Sequence, residues 1–126
     1  MANNFDHVPR ERSRRSERLA DLIRQVLGEL IEREVKDPRI GFTTLTEVQL
    51  TGDLRQARVY VSILGEDEAR KQGMEGLAAA KAFLRHQLAH RLQLRHTPEI
   101  DFQLDRSQEY NERLDELIRR TKTGKH

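Results

Sequence analysis

The sequence predicts a single α+β domain: a three-stranded sheet with helices packed on one face and the other face open. Three observations predict it. The apolar residues change period along the chain, helical over 19–30, alternating over 42–63, helical again over 77–92 and alternating over 100–104. The changes fall at turn signals, namely Asp37-Pro38-Arg39-Ile40-Gly41, Thr51-Gly52-Asp53 and Pro98. The chain has 126 residues, room for one modest core and too few to cover both faces of a small sheet with helices. The predicted order is helix, strand, strand, short helix, long helix, strand, helix, or α-β-β-α-α-β-α.

Residues 1–12 are polar, hold Pro9 and show no periodicity, so they read as a flexible basic arm. Ser13 or Ser16 can cap the helix that follows. Leu19, Leu22, Ile23, Val26, Leu27 and Leu30 give that helix its apolar stripe. Gly28 faces away from the stripe and costs about 1 kcal/mol of propensity relative to alanine. Pro38 biases Asp37 out of helical geometry, so the helix ends before it.

The first strand is expected to put Phe42, Thr44, Thr46, Val48 and Leu50 on one face. The second alternates Ala57, Val59, Val61 and Ile63 with Arg58, Tyr60 and Ser62, and the short turn between the two strands makes them an antiparallel hairpin. A short polar helix is expected over 66–72, broken by Gly73 and Gly76, after which the central helix starts. Pro98 stops it. Ile100, Phe102 and Leu104 alternate with Asp101 and Gln103 as the third strand. Ser107 can cap a last helix with Tyr110, Leu114, Leu117 and Ile118 on one face, and 121–126 is a loose tail. The organisation is therefore an arm (1–12), a folded domain (13–106) and a C-terminal helix with its tail (107–126). The predicted core is Leu22, Ile23, Val26, Leu30, Val59, Val61, Leu84, Leu88, Ile100 and Phe102.

Charged residues make up 35% of the chain and hydrophobic ones 36%, so the core is compact and the surface highly charged. There are no cysteines, which removes disulfides, thiolate nucleophiles and cysteine-ligated zinc and suits a reducing cytoplasm. No apolar run approaches a membrane span, and the expectation is a cytoplasmic protein. Net charge is only +2, but the charge is segregated. Arg10, Arg12, Arg14, Arg15 and Arg18 crowd the start, and Lys81, Arg85, Arg91 and Arg95 follow the central helix. Segregated charge steers partners.

The central stretch 77–98 carries two faces. Leu77, Leu84, Leu88 and Leu92 form an apolar stripe, and about a quarter turn or more away lie Ala78, Ala82 and Ala89. Lys81 and Arg85 flank that alanine strip on one side and His86 on the other. Small side chains admit the backbone of a large partner, and neighbouring cations suit a polyanion such as RNA. The competing reading is a core helix with a solvated basic face. The candidate RNA-binding residues are Lys81, Arg85, His86, Arg91 and Arg95 on and after this helix, with Arg12, Arg14 and Arg15 closing over from the arm.

Other motifs carry less. His86 and His90 have a zinc-like spacing, but position 87 is Gln where a metalloprotease needs Glu, so no metal site is expected. No nucleophile motif or phosphate-cradling glycine loop appears, so neither catalysis nor a cofactor is expected. Gly73-Met74-Glu75-Gly76 matches the G-x-x-G by which KH domains clamp nucleic acid, yet Glu75 would face phosphate, and a helix-breaking turn explains the glycines more simply.

Several motifs in order resemble one family. They are the basic start leading into a helix, Asp37-Pro38-Arg39-Ile40-Gly41, Asp53-Leu54-Arg55-Gln56-Ala57-Arg58-Val59-Tyr60-Val61-Ser62, Ala80-Lys81-Ala82-Phe83-Leu84-Arg85, and Leu92-Gln93-Leu94-Arg95-His96-Thr97-Pro98-Glu99-Ile100-Asp101-Phe102. Over residues 12–105 the chain resembles ribosome-binding factor A, a family of bacterial small-subunit assembly factors. The resemblance implies a type II KH-like fold whose clamp loop is replaced by an Ala-x-Gly kink in the central helix, here Ala80-Lys81-Ala82. Ala82 stands where the family has glycine, and alanine propagates helix better, so a shallower kink is expected. The resemblance further implies binding to the free 30S subunit through 16S rRNA, support of 5′-end maturation, and importance for growth in the cold. Nothing in the chain demands more than a monomer. The alternative to an RNA-binding factor is a protein-interaction module that uses the open sheet face or an edge strand.

Overall fold

The computed structural model describes residues 14–107 and 116–119. Their elements are α1 (Arg14–Arg33), β1 (Thr43–Leu50), β2 (Gln56–Ile63), α2 (Asp67–Leu92) and β3 (Glu99–Leu104), and residues 116–119 are also helical. The arm with Arg12, the cap position Ser13, and Tyr110 and Leu114 of the last helix lie outside the described residues.

α1 buries Ala20, Ile23, Leu27, Leu30 and Ile31, three and four positions apart, against the sheet. Leu22 does not join this core and is 47% exposed. It sits one residue, about 100°, from Ile23 and so faces along the surface instead of inward. The helix ends as Glu34 and Val35 both donate to the Leu30 carbonyl. Asp37 then builds the turn. Its Oδ1 accepts from the Arg39 backbone N–H at 2.9 Å, its carbonyl accepts from Ile40 N–H, and the Arg39 guanidinium closes on its carboxylate at 2.6 Å. Gly41 leaves the turn at φ +58°, a left-handed conformation that favours glycine.

The sheet order is β1-β2-β3. β1 and β2 are antiparallel, as the short turn requires, with a register shift between Leu45 and Glu47. That bulge corrects the expected face of β1. Thr43 and Leu45 point inward before it and Val48 and Leu50 after it, whereas Phe42, Thr44 and Thr46 are exposed. One extra residue reverses the alternation, which a strict period of two cannot anticipate. β3 lies parallel to β2, pairing Ala57 with Ile100 and Val59 with Phe102 on the inner face. α2 supplies the crossover that a parallel pair needs. The outer face carries Gln49, Arg58 and Asp101 in one row and Glu47, Tyr60 and Gln103 in the next.

The expected break at Gly73 and Gly76 is absent, and the short and long helical segments run as one helix from Asp67 to Leu92. The two glycines are buried. A Cβ at Gly73 would come within 2.7 Å of Ile63 Cδ1, and one at Gly76 within 2.8 Å of Ile40 Cγ1. They are packing residues, spaced so that the 37–41 turn and the end of β2 can lie against the helix. They form no loop and cannot act as a nucleic-acid clamp. Residues Ala80, Lys81 and Ala82, where the resemblance implies a kink, are helical throughout. Farther along, Leu77, Leu84 and Leu88 are fully buried and complete the core with Val59, Val61 and Ile100.

Candidate nucleic-acid interface

The geometry of the basic surface is set where α2 stops. Gln93 takes the left-handed conformation (φ 49°) and its N–H donates to the Ala89 carbonyl at 2.9 Å, capping the helix. The chain then turns back into β3, and two bonds pin that return. Glu99 N–H donates to the Arg55 carbonyl at 2.8 Å, and Arg85 Nη2 donates to the Thr97 carbonyl at 3.0 Å. Residues 94–98 are thereby anchored at their C-terminal end as a spur, with Arg95 and His96 exposed on it and Pro98 buried beneath.

A shallow cleft opens on each side of the spur. The first, about 450 Å³, is lined by Ala82, Arg85, His86 and Ala89 of α2 and by Arg95, His96 and Thr97. Of the alanine strip and its flanking residues, Ala82, Ala89, Arg85 and His86 face this hollow, whereas Ala78 and Lys81 do not line it. The second, about 960 Å³, lies between the start of α1, the β1–β2 turn and the spur. It gathers Arg14, Arg15, Arg18, Arg55 and Arg95 around Leu19, Leu22, Leu54, Leu94 and Pro98. Arg95 and His96 line both clefts, so the two form one continuous surface.

The candidate residues thus do not all stand alike. Arg14, Arg15, His86 and Arg95 are exposed on this surface. Lys81 is half-buried on α2 and does not line either cleft. Arg85 is engaged within the protein, pairing with Glu99 at 3.0 Å as well as holding Thr97. Arg91 reaches Glu29 of α1 at 3.6 Å and does not line the clefts. Arg85 therefore holds the spur in place at the same time as it lines the first cleft. Reversing its charge would set two carboxylates against each other and disturb the spur. His86 and His90 are both exposed on α2, and among the described residues no group of three or more potential ligands forms around them.

Residues the spacing argument missed come from the β1–β2 turn. Thr51 is buried there, and its hydroxyl donates to Asp53 Oδ1 at 2.6 Å. The Arg55 N–H donates to the same oxygen at 3.1 Å, and Gln56 N–H donates back to the Thr51 hydroxyl at 3.1 Å. The Thr51 hydroxyl foremost, then the Arg55 N–H, hold the Asp53 carboxyl below its ordinary pKa. The turn forces Leu54 into a left-handed conformation, φ 60°, which costs a non-glycine residue roughly 1–2 kcal/mol. Strain of this kind persists where the surroundings over-determine it, commonly at functional sites. Its effect is to present Leu54 and Arg55 at the second cleft.

A family model described as Ribosome-binding factor A matches residues 15–118. Among solved structures, the crystal structure of ribosome-binding factor A from Thermus thermophilus is 27% identical, with a TM-score of 0.65 over 72% of this chain and 97% of that one. A Thermotoga maritima protein described as a candidate ribosome binding factor A is 38% identical, with a TM-score of 0.66 over 75% of this chain and 91% of that one. A homology model of the Thermus thermophilus factor, fitted into a cryo-EM map of its complex with 30S, is 29% identical, with a TM-score of 0.58 over 69% of this chain and 91% of that one. No helix among the described residues is long and apolar enough to cross a membrane.

Proposed function

The chain belongs to the ribosome-binding factor A family, and from that membership we propose that it is a cytoplasmic assembly factor that binds the free 30S subunit through 16S rRNA. The observation that carries this reading is the family match across nearly the whole folded chain. The complex of the Thermus thermophilus factor with 30S supports the choice of partner. The continuous basic surface on both sides of the 94–98 spur supports RNA as the ligand, because arginine-rich surfaces gain affinity by displacing counterions from phosphate. In this reading Arg14, Arg15, His86 and Arg95 meet RNA directly, with Lys81 and Arg91 extending the field along α2 and Arg12 joining from the arm.

The mechanism is binding energy and not bond chemistry. The protein favours one arrangement of the immature rRNA and leaves when the mature subunit no longer offers it, since a ligand shifts an equilibrium only by its differential affinity. Holding that arrangement assists late maturation, including 5′-end processing of 16S rRNA. It matters most in the cold, where misfolded RNA escapes slowly. A monomer suffices for all of this. Sedimentation of cell extract tests the reading: the protein is expected to co-migrate with free small subunits and to be missing from assembled ribosomes. Migration with neither, or equally with both, would count against it.

A further inference from the structure

The second cleft has a feature that phosphate binding alone does not use. Its floor is apolar: Leu22, 47% exposed on an otherwise amphipathic helix, with Leu54, Leu94 and Pro98. Its rim is cationic, with Arg14, Arg15 and Arg18 on one side and Arg55 and Arg95 on the other, and Asp53 supplies the single carboxylate among its described residues. A paired duplex presents phosphates but keeps its bases stacked inside, so it would leave this floor wet. A single strand can turn a base out of its stack, and bases displayed in this way are what proteins read in RNA. We propose that this cleft binds one unstacked nucleotide of a single-stranded RNA segment, with its base on the Leu22–Leu54–Leu94 floor and its flanking phosphates on the arginine rim. A volume of about 960 Å³ accommodates a nucleotide with part of its neighbours. The hydrogen-bonded Thr51–Asp53 turn keeps Leu54 and Arg55 in position before the RNA arrives. The proposal rests on the RNA-binding reading above and narrows it to strand state.

The test uses the full chain and two probes: a single-stranded RNA decamer carrying one 2-aminopurine, and the same sequence closed into a hairpin stem. The single strand is expected to bind about tenfold or more tightly than the stem, and its 2-aminopurine fluorescence to rise as the base unstacks. Leu22→Ala and Leu94→Ala, made separately, should each weaken single-strand binding about fivefold or more and suppress the rise. They should leave stem binding and the salt dependence unchanged. Arg18→Ala and Arg55→Ala should instead each lower the salt slope by about one. Equal affinity for strand and stem would overturn the cleft assignment while leaving the RNA reading intact, as would a fluorescence rise that survives both alanine variants. Binding of neither RNA would overturn both. Tighter binding of an acidic Glu/Leu amphipathic peptide that displaces the single strand would reassign the cleft to a protein partner.

Discussion

Gly28 and Gly76 are both helical glycines, and the same substitution should move stability in opposite directions at the two sites. In a helix interior, alanine is favoured over glycine by about 1 kcal/mol. At Gly28 a new Cβ would meet only Leu45 Cδ1 at 3.6 Å, an ordinary van der Waals distance. Gly28→Ala should therefore stabilise the protein by about 0.5–1 kcal/mol. At Gly76 the Cβ would stand 2.8 Å from Ile40 Cγ1, 3.4 Å from Arg39 Cβ and 3.5 Å from Asp37 Cγ. Ile40 is only 4% exposed, and Cγ1 lies midway along its side chain, so it cannot swing clear without moving the turn. Overpacking of this kind costs about 1–3 kcal/mol, and here the upper part of that range applies. After the propensity gain, Gly76→Ala should lose about 1–2 kcal/mol. Urea unfolding followed by circular dichroism reads both values, and at a slope of about 1–3 kcal/mol per molar the midpoints should separate by roughly 1 M. If both variants are stabilised to a similar degree, the 37–41 turn does not press on α2 and the account of the glycine pair is wrong.

Two further outcomes are expected. Leu88 is fully buried, so Leu88→Ala should cost about 2–5 kcal/mol in the same unfolding assay, and a loss below about 1 kcal/mol would remove this face of α2 from the core. Asp105 accepts hydrogen bonds from the Ser107 hydroxyl, the Thr46 hydroxyl and the Ser107 N–H, which together hold its carboxyl below the ordinary range. A carboxyl with a lowered folded-state pKa adds stability above its unfolded value and loses it as pH falls through the folded value. Thermal unfolding between pH 7 and 3 should therefore show a smaller acid loss in Asp105→Asn than in the wild type, and identical acid profiles would contradict the assignment.

The periodic elements were legible because burial on one face leaves a repeating mark. Ile23 with Leu30, Val59 with Val61, and Leu84 with Leu88 recur at the spacing of their element and are buried. What the pattern missed were places where one tertiary interaction overrides the period. The bulge at Thr46 inverts a face, and Gly73 and Gly76 read as breakers because the Ile63 and Ile40 they accommodate are distant in sequence. At the interface, the cations of α2 could be found by spacing, but their partners could not. Glu99 and Glu29 tie up Arg85 and Arg91 across the fold, whereas Arg18, Leu54 and Arg55 join the surface only once the β1–β2 turn meets the start of α1. The left-handed Leu54 in Asp53-Leu54-Arg55 carries no sequence signal comparable to a glycine.

We propose that RNA lies along the basic surface formed by α2 and the 94–98 spur. This placement is tested most directly by the salt dependence of binding to purified free small subunits, comparing wild type with Lys81→Glu/Arg95→Glu. No described carboxylate forms an ion pair with either residue, so the double change should leave thermal unfolding nearly unaltered, unlike one that includes Arg85. Each phosphate interaction removed lowers the slope of log K against log salt by about one; Arg95 meets RNA directly and Lys81 extends the field, so the slope should fall by about one or more, with weaker binding throughout. Glu32→Lys, on the exposed side of α1, should bind unchanged or slightly more tightly. If Lys81→Glu/Arg95→Glu binds the subunit with wild-type affinity and slope, this surface is not the RNA face, and α2 is a core helix with a solvated basic side.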